Sequence, residues 1–171
     1  MLFGDKNEFA IEAQFDTWHD KWCFGRLRIW VKGDEYGNFL DSVDLASASR
    51  WGRTFLQHSE GRMVTGLNEL NASEIYTQVA GRPLLDGSGQ AGVAVLDRDA
   101  FVFDDIGESS LRDKVSIVVA RDSASGRERI MVKDLKTGDI RDVYLDGESC
   151  DEVVQLFCVW CESLARQGNE S

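Results

Sequence analysis

Residues 149–164 (SCDEVVQLFCVWCESL) constrain the fold of this chain more than any other stretch. Ser149 to Glu152 has the spacing of a capping box, in which Ser and Glu side chains exchange hydrogen bonds with each other's backbone N–H groups. Directly after it Val153, Phe157, Trp160 and Leu164 recur at steps of four, three and four, so they share one face of a helix, and Gly168 is placed to end it. A helix this apolar on one side is not stable alone in water; it needs a surface to lie on. Residues 153–164, the longest near-apolar run, contain Gln155 and Glu162 and are too short to cross a bilayer.

The surface it needs is legible upstream as strands. In residues 8–16 (EFAIEAQFD), Phe9, Ile11, Ala13 and Phe15 alternate with polar neighbours, and in 23–32 (CFGRLRIWVK) Leu27, Ile29 and Val31 alternate with Arg26, Arg28 and Trp30. The two segments should pair, followed by a turn over 33–38 and a short third strand over 39–45. Ala46, Ala48, Trp51, Phe55 and Leu56 then predict an amphipathic helix over 46–58, with Gly52 as its weak point, and a second short helix is expected over 73–80, ahead of Gly81 and Pro83. Residues 86–92 read as a flexible turn, and 93–96 and 101–103 as strands. Residues 115–121, 128–133 and 140–145, joined by the glycine-containing connections 122–126 and 134–138, predict an antiparallel meander. The expected class is α+β: an antiparallel sheet of about six strands with helices packed on one side and the C-terminal helix closing the core. The 171 residues should form a single domain.

Most catalytic chemistry is disfavoured by the same reading. Gly87, Gly89 and Gly92 match G-x-G-x-x-G, but a pyrophosphate site needs a strand before the glycines and a helix N-terminus after them, and here a Pro-broken loop precedes and a strand follows. Cys158 and Cys161 form C-x-x-C well inside the last helix, whereas a redox pair needs its first thiol at a helix N-terminus. A zinc site would have to draw on Cys23, Cys150, His19 and His58, which supply no second close pair, so the four cysteines are read as core residues and no metal is expected. With two histidines, His19 in a turn and His58, and no G-x-S-x-G or H-E-x-x-H context, no nucleophile or general base stands out. No cofactor and no catalytic residue are expected. The tryptophans Trp18, Trp22 and Trp30 read as core or half-buried sheet residues, with interface anchors as the alternative.

Charge says more. Against 19 Lys and Arg stand 30 Asp and Glu, a net charge of -11, which disfavours nucleic acid or an anionic membrane as partner and favours a basic protein. Two neighbourhoods concentrate the acid: Asp97, Asp99, Asp104, Asp105, Glu108 and Asp113; and Asp139, Asp142, Asp146, Glu148, Asp151 and Glu152. Asp151 and Glu152 have an alternative use, complementing the helix N-terminus. Of the others, Asp97, Asp99, Asp104, Asp105, Glu108, Asp142, Asp146 and Glu148 are the candidate partner-binding residues. The polar N-terminus carries no secretory pattern, so the four cysteines are expected to be reduced thiols and the protein cytoplasmic.

The opening FGDKNEFAIE at residues 3–12, followed by CFGRLRIWVKG at 23–33, resembles immunity protein family 42 of bacterial polymorphic toxin systems. Residues 101–106, the strand at 128–133 with the Thr137-Gly138 turn, and the last helix through Trp160 are similar to the same pattern, so the resemblance spans nearly the whole chain. It implies a protein made beside a toxin, retained in the cytoplasm, that blocks the toxin's C-terminal domain by binding it. It brings no catalytic motif, and it implies that Gly4-Asp5 and the strand at 9–12 are fold determinants. Many such toxins are nucleases with basic clefts, which an acidic face could occupy. A secretion chaperone-like binding module is the alternative, and a small carboxylate-dependent enzyme a more distant one.

Overall fold

The computed structural model describes residues 1–20, 22–80, 103, 106, 109–147 and 149–169. In chain order these form β1 (Leu2–Gly4), β2 (Phe9–His19), β3 (Trp22–Val31), β4 (Asp34–Tyr36), β5 (Val43–Asp44), α1 (Leu45–Gln57), a 3-10 turn (Ser59–Arg62) and β6 (Met63–Val64). They continue with α2 (Ala72–Ala80), α3 (Ser109–Lys114), β7 (Val115–Asp122), β8 (Glu128–Asp134), β9 (Ile140–Tyr144) and α4 (Cys150–Asn169).

The α+β class is as expected. The strands, however, divide between two sheets: β1-β2-β3-β4 with β5 also on β3, and β6-β7-β8-β9. Within the first, β2 and β3 pair antiparallel with Phe9 opposite Val31, Ile11 opposite Ile29 and Ala13 opposite Leu27, which puts the alternating apolar residues on one face. β2 runs further than its alternation suggested, to His19, because a bulge between Phe15 and Thr17 lets pairing resume beyond the break in pattern, and β3 is shifted by one residue, to Trp22–Val31.

Of the expected third strand over 39–45 only Val43–Asp44 is paired, and a further short strand, β4, forms over 34–36, where a turn was expected. Lys32 and Gly33 both take positive φ, 46° and 85°, so the chain turns tightly and β4 pairs back at once, where the run of turn-forming residues had suggested a loop. Val43–Asp44 then pairs with Phe24 and Gly25. Asp44 also caps α1, accepting from Ala46 N at 3.2 Å and Ser47 N at 3.1 Å.

The meander is present as β7, β8 and β9, but Met63–Val64 joins it in parallel with Arg121–Asp122, so the second sheet is mixed. The near-continuous apolar run of β7 has its cause here. Val115, Ile117 and Val119, with Ile130 and Val132 of β8, face a core shared with β2, β3, α1 and α4. Val118, Ala120 and Met131 face a second cluster with Ile75 and Val79 of α2 and Leu67. Both faces of this sheet are therefore covered, and a strand covered on both faces loses its polar alternation.

α4 closes the main core as its pattern required, with Val153, Phe157, Cys158 and Cys161 buried. The capping box is formed: Ser149 N donates to Glu152 Oε2 at 3.0 Å and Glu152 N to Ser149 Oγ at 3.3 Å. Gly52 is a packing requirement and not a weak point, since a Cβ there would lie 2.6 Å from Cys158 Sγ where α1 crosses α4. Aromatic rings fill the centre: Phe103 meets Phe9, Trp51 and Phe55 edge-on, with centroids 5.3, 4.7 and 5.0 Å apart. Among the described residues no helix is long and apolar enough to cross a membrane. The expected turn at 86–92 and the strand at 93–96 lie outside the described residues, as does the 101–103 strand apart from Phe103, which is buried and donates its N–H to Ile117 O at 2.7 Å.

Candidate interaction surface

Of the eight acidic candidates, Asp142 and Asp146 are described; Asp97, Asp99, Asp104, Asp105, Glu108 and Glu148 lie outside the described residues. The two described ones sit on the same edge of the second sheet and its exit into α4, and each is held by cations of this chain.

Asp142 on β9 receives both arms of the Arg129 fork, Nε at 2.8 Å and Nη2 at 2.6 Å. Arg129 occupies a strand position whose neighbours are buried, and it is itself buried, so its remaining donors need partners. Its Nη1 supplies the carbonyls of Leu67 and Leu70 at 2.8 and 2.7 Å, tying the loop before α2 to the sheet. The Asp142 carboxylate beside it raises the guanidinium's pKa further above its ordinary value. Asp142 is therefore a structural counter-ion as well as an acid at the surface.

Asp146 is 66% exposed and lies between Arg127 Nη2 at 2.7 Å and Lys32 Nζ at 3.3 Å. Those two cations, Lys32 first, hold its carboxyl below the usual range. Lys32 also bonds both oxygens of Glu8, at 2.7 and 2.8 Å, and Glu8 Oε2 accepts from the backbone N–H of Asp146 at 3.0 Å, so the pair of sheets is bridged at this corner. Asp146 rims an open groove of about 350 Å³ with Ser125, Arg127, Leu145, Gly147 and Ser149.

Asp151 stands in the first turn of α4, where it can complement the helix N-terminus as expected, and it also joins two arginines: Arg62, which is fully buried, and Arg121, at 2.8 Å. Arg62 also donates to Phe55 O at 2.6 Å and lies 3.8 Å over the Phe55 ring. Arg121 pairs with Glu128, whose second oxygen accepts from Cys150 N at 2.6 Å. The first turn of α4 is thus bolted to β7, β8 and the 3-10 turn by buried charge. Acidic density in the sequence signalled none of this, because the partners Arg62, Arg121 and Arg129 are spread over almost seventy residues. An arginine inside an otherwise apolar strand, as at Arg129, was the available signal. Every buried polar side-chain atom among the described residues has a partner.

The four cysteines are free and buried, burial pushes their thiol pKa values up, to about 11 at Cys23, and Cys158 Sγ donates to Ser49 O at 3.4 Å. His19 is exposed beside Asp20, 3.9 Å away, and His58 Nδ1 meets Thr54 O at 3.0 Å. Among the described residues no group of three or more His, Cys, Asp or Glu is arranged to hold a metal ion. Of the three tryptophans singled out, Trp18 and Trp30 are half-buried, Trp30 donating to Glu12 Oε2 at 3.0 Å, whereas Trp22 is 42% exposed at the tip of the β2–β3 hairpin.

A profile of the family described as immunity protein 42 matches residues 1–160. Among solved structures, CdiI from Burkholderia dolosa superposes with a TM-score of 0.63 at 15% sequence identity, over 97% of this chain and 99% of that one. A likeness at that identity speaks for the fold alone. No curated protein sequence matches the chain significantly.

Proposed function

The chain belongs to the immunity protein 42 family and is an immunity protein that neutralises a cognate toxin; we propose that it does so in the cytoplasm of the producing cell, as one domain, by binding the toxin's C-terminal domain directly and without catalysis. The observation that carries the reading is the family match over residues 1–160, joined by a fold that also occurs in a protein called CdiI.

The mechanism we propose for recognition is electrostatic steering of a basic toxin domain, a nuclease being the type this charge suits best, by Asp97, Asp99, Asp104, Asp105, Glu108, Asp142, Asp146 and Glu148. A net charge of -11 supports it, as does the exposure of Asp146 at the rim of an open groove. Of the described pair, Asp146 is the better contact, because Asp142 is committed to Arg129.

The test is co-expression with the C-terminal domain of the toxin encoded beside this gene. Rescue of growth together with a stoichiometric complex, weakened by salt, is the expected result. Rescue without a complex excludes direct binding, and a salt-insensitive complex excludes steering.

A further inference from the structure

α1 and α4 touch at Gly52 and Cys158. From that crossing toward the start of α1 and the end of α4, the facing residues are small: Ala46, Ser49 and Ala165. They leave a groove of about 400 Å³. A second hollow of about 230 Å³, lined by Trp22, Asp44, Ala46 and Arg50, shares Ala46 and Arg50 with the first, so the depression continues to the hairpin tip. Its floor is apolar, with Cys161 beneath it, and its far end carries the half-exposed Trp22 indole.

The groove is lined by two arginines, Arg50 and Arg53, and two carboxylates, Asp44 and Glu162, and one of the cations is only partly engaged. Arg53 is committed, donating to Glu162 at 2.8 Å and Gln155 at 2.9 Å. Arg50 is 70% exposed; it donates to Ser47 Oγ at 2.7 Å and lies 3.8 Å from Asp44. That carboxylate accepts from Ala46 N, Ser47 N and Ser47 Oγ as the α1 cap and attracts the guanidinium by charge, but at 3.8 Å takes no hydrogen bond from it, so Arg50 keeps donors open to solvent. A guanidinium with open donors above an apolar floor fits a carboxylate next to an apolar side chain.

We propose that this groove is the anchoring subsite for the toxin: it takes a segment of the toxin domain that places an apolar side chain on Ala46 and Ala165, against Trp22, and an adjacent Asp or Glu on Arg50. This rests on the immunity reading above. It assigns a role that the acidic surface does not fill. Exposed acids act at long range and set the association rate, whereas a tryptophan and an arginine desolvated in a groove set the dissociation rate.

The test measures association and dissociation of the purified neighbouring toxin domain on immobilised immunity protein, for wild type, Trp22→Ala, Arg50→Glu, Arg50→Lys, Ala165→Trp and Asp146→Lys. Arg50→Glu is an exposed change in the first half of α1 and leaves the fold intact, which a thermal melt checks for every variant. Trp22→Ala, Arg50→Glu and Ala165→Trp are expected to speed dissociation at least about tenfold with association changed less than about threefold, the hot-spot signature. Arg50→Lys, which keeps the charge, should lose less than Arg50→Glu, and Asp146→Lys should slow association only. Wild-type dissociation from all three groove variants overturns the subsite and leaves direct immunity standing. Failure of the wild type to bind overturns both.

Discussion

Gly52 of α1 lies so close to Cys158 of α4 that a methyl group on the glycine would sit 2.6 Å from the sulfur. Glycine inside a helix costs about 1 kcal/mol relative to alanine, so its presence mid-helix is explained by the crossing and not by helix propensity. Gly52→Ala is expected to lower stability by about 1–3 kcal/mol despite the propensity gain, because the core cannot give way without moving Val154 as well, 3.2 Å from the same point. The double change Gly52→Ala with Cys158→Ala should recover part of that loss. Urea unfolding of the four proteins in a double-mutant cycle gives the coupling, and additive losses would show that the two residues do not clash.

Arg129 carries the heaviest structural charge. Arg129→Met removes the partner of Asp142 and of the Leu67 and Leu70 carbonyls together, and a cost of about 3–5 kcal/mol is expected in chemical denaturation. Arg129→Lys should rescue little of it, since one ammonium cannot span the fork and both carbonyls. Asp146→Asn, at an exposed pair, should change stability by less than about 1 kcal/mol. Binding losses measured at Asp142 need this correction and those at Asp146 do not.

Acid stability depends on Glu12. Burial acts to raise its pKa, but hydrogen bonds from Arg28, Lys6 and Trp30 outweigh that and hold it at about 2, against 4.5 ordinarily. A depressed carboxyl contributes stability above its unfolded pKa and loses it as pH falls through the folded value. Thermal melts of the wild type should therefore decline between about pH 4.5 and 2. Glu12→Gln should be less stable at pH 7, with the gap to wild type closing toward pH 2. A pH-independent gap would show that the loss comes from packing.

The thiols give a measure of core integrity. All four cysteines are buried, with pKa values raised, so the native protein should react with a disulfide reagent only as it unfolds. Titration in strong denaturant should release all four at once. Fast native labelling of any of them would place that residue at the surface.

The elements of this chain were legible wherever local pattern and burial agree. Residues 149–164 announced α4 and its cap, the alternation around Ile11 and Ile29 announced β2 and β3, and the glycine-containing turns announced the β7–β9 meander. These are short-range facts: a helix face and a strand face are written in steps of three, four and two. What alternation could not report was which sheet each strand would join, because that depends on partners far along the chain. Met63–Val64 is too short to carry a pattern at all, and only its contact with Arg121–Asp122 makes it a strand.

The charge count was likewise a property of the sequence alone, and with the family resemblance it pointed to a protein that binds rather than catalyses. How the charge is spent was decided by the tertiary structure. Asp142, Asp146 and Asp151 look alike in a tally of acids, yet one is a counter-ion to a buried arginine, one lies exposed between two surface cations, and one joins two arginines under a helix end. Gly52 read as a flaw until α4 was laid across it, and Trp22 read as one more sheet tryptophan until the hairpin carried it past its neighbours. Periodicity is encoded within a few residues, whereas pairing of charges and closeness of approach exist only between segments that folding brings together.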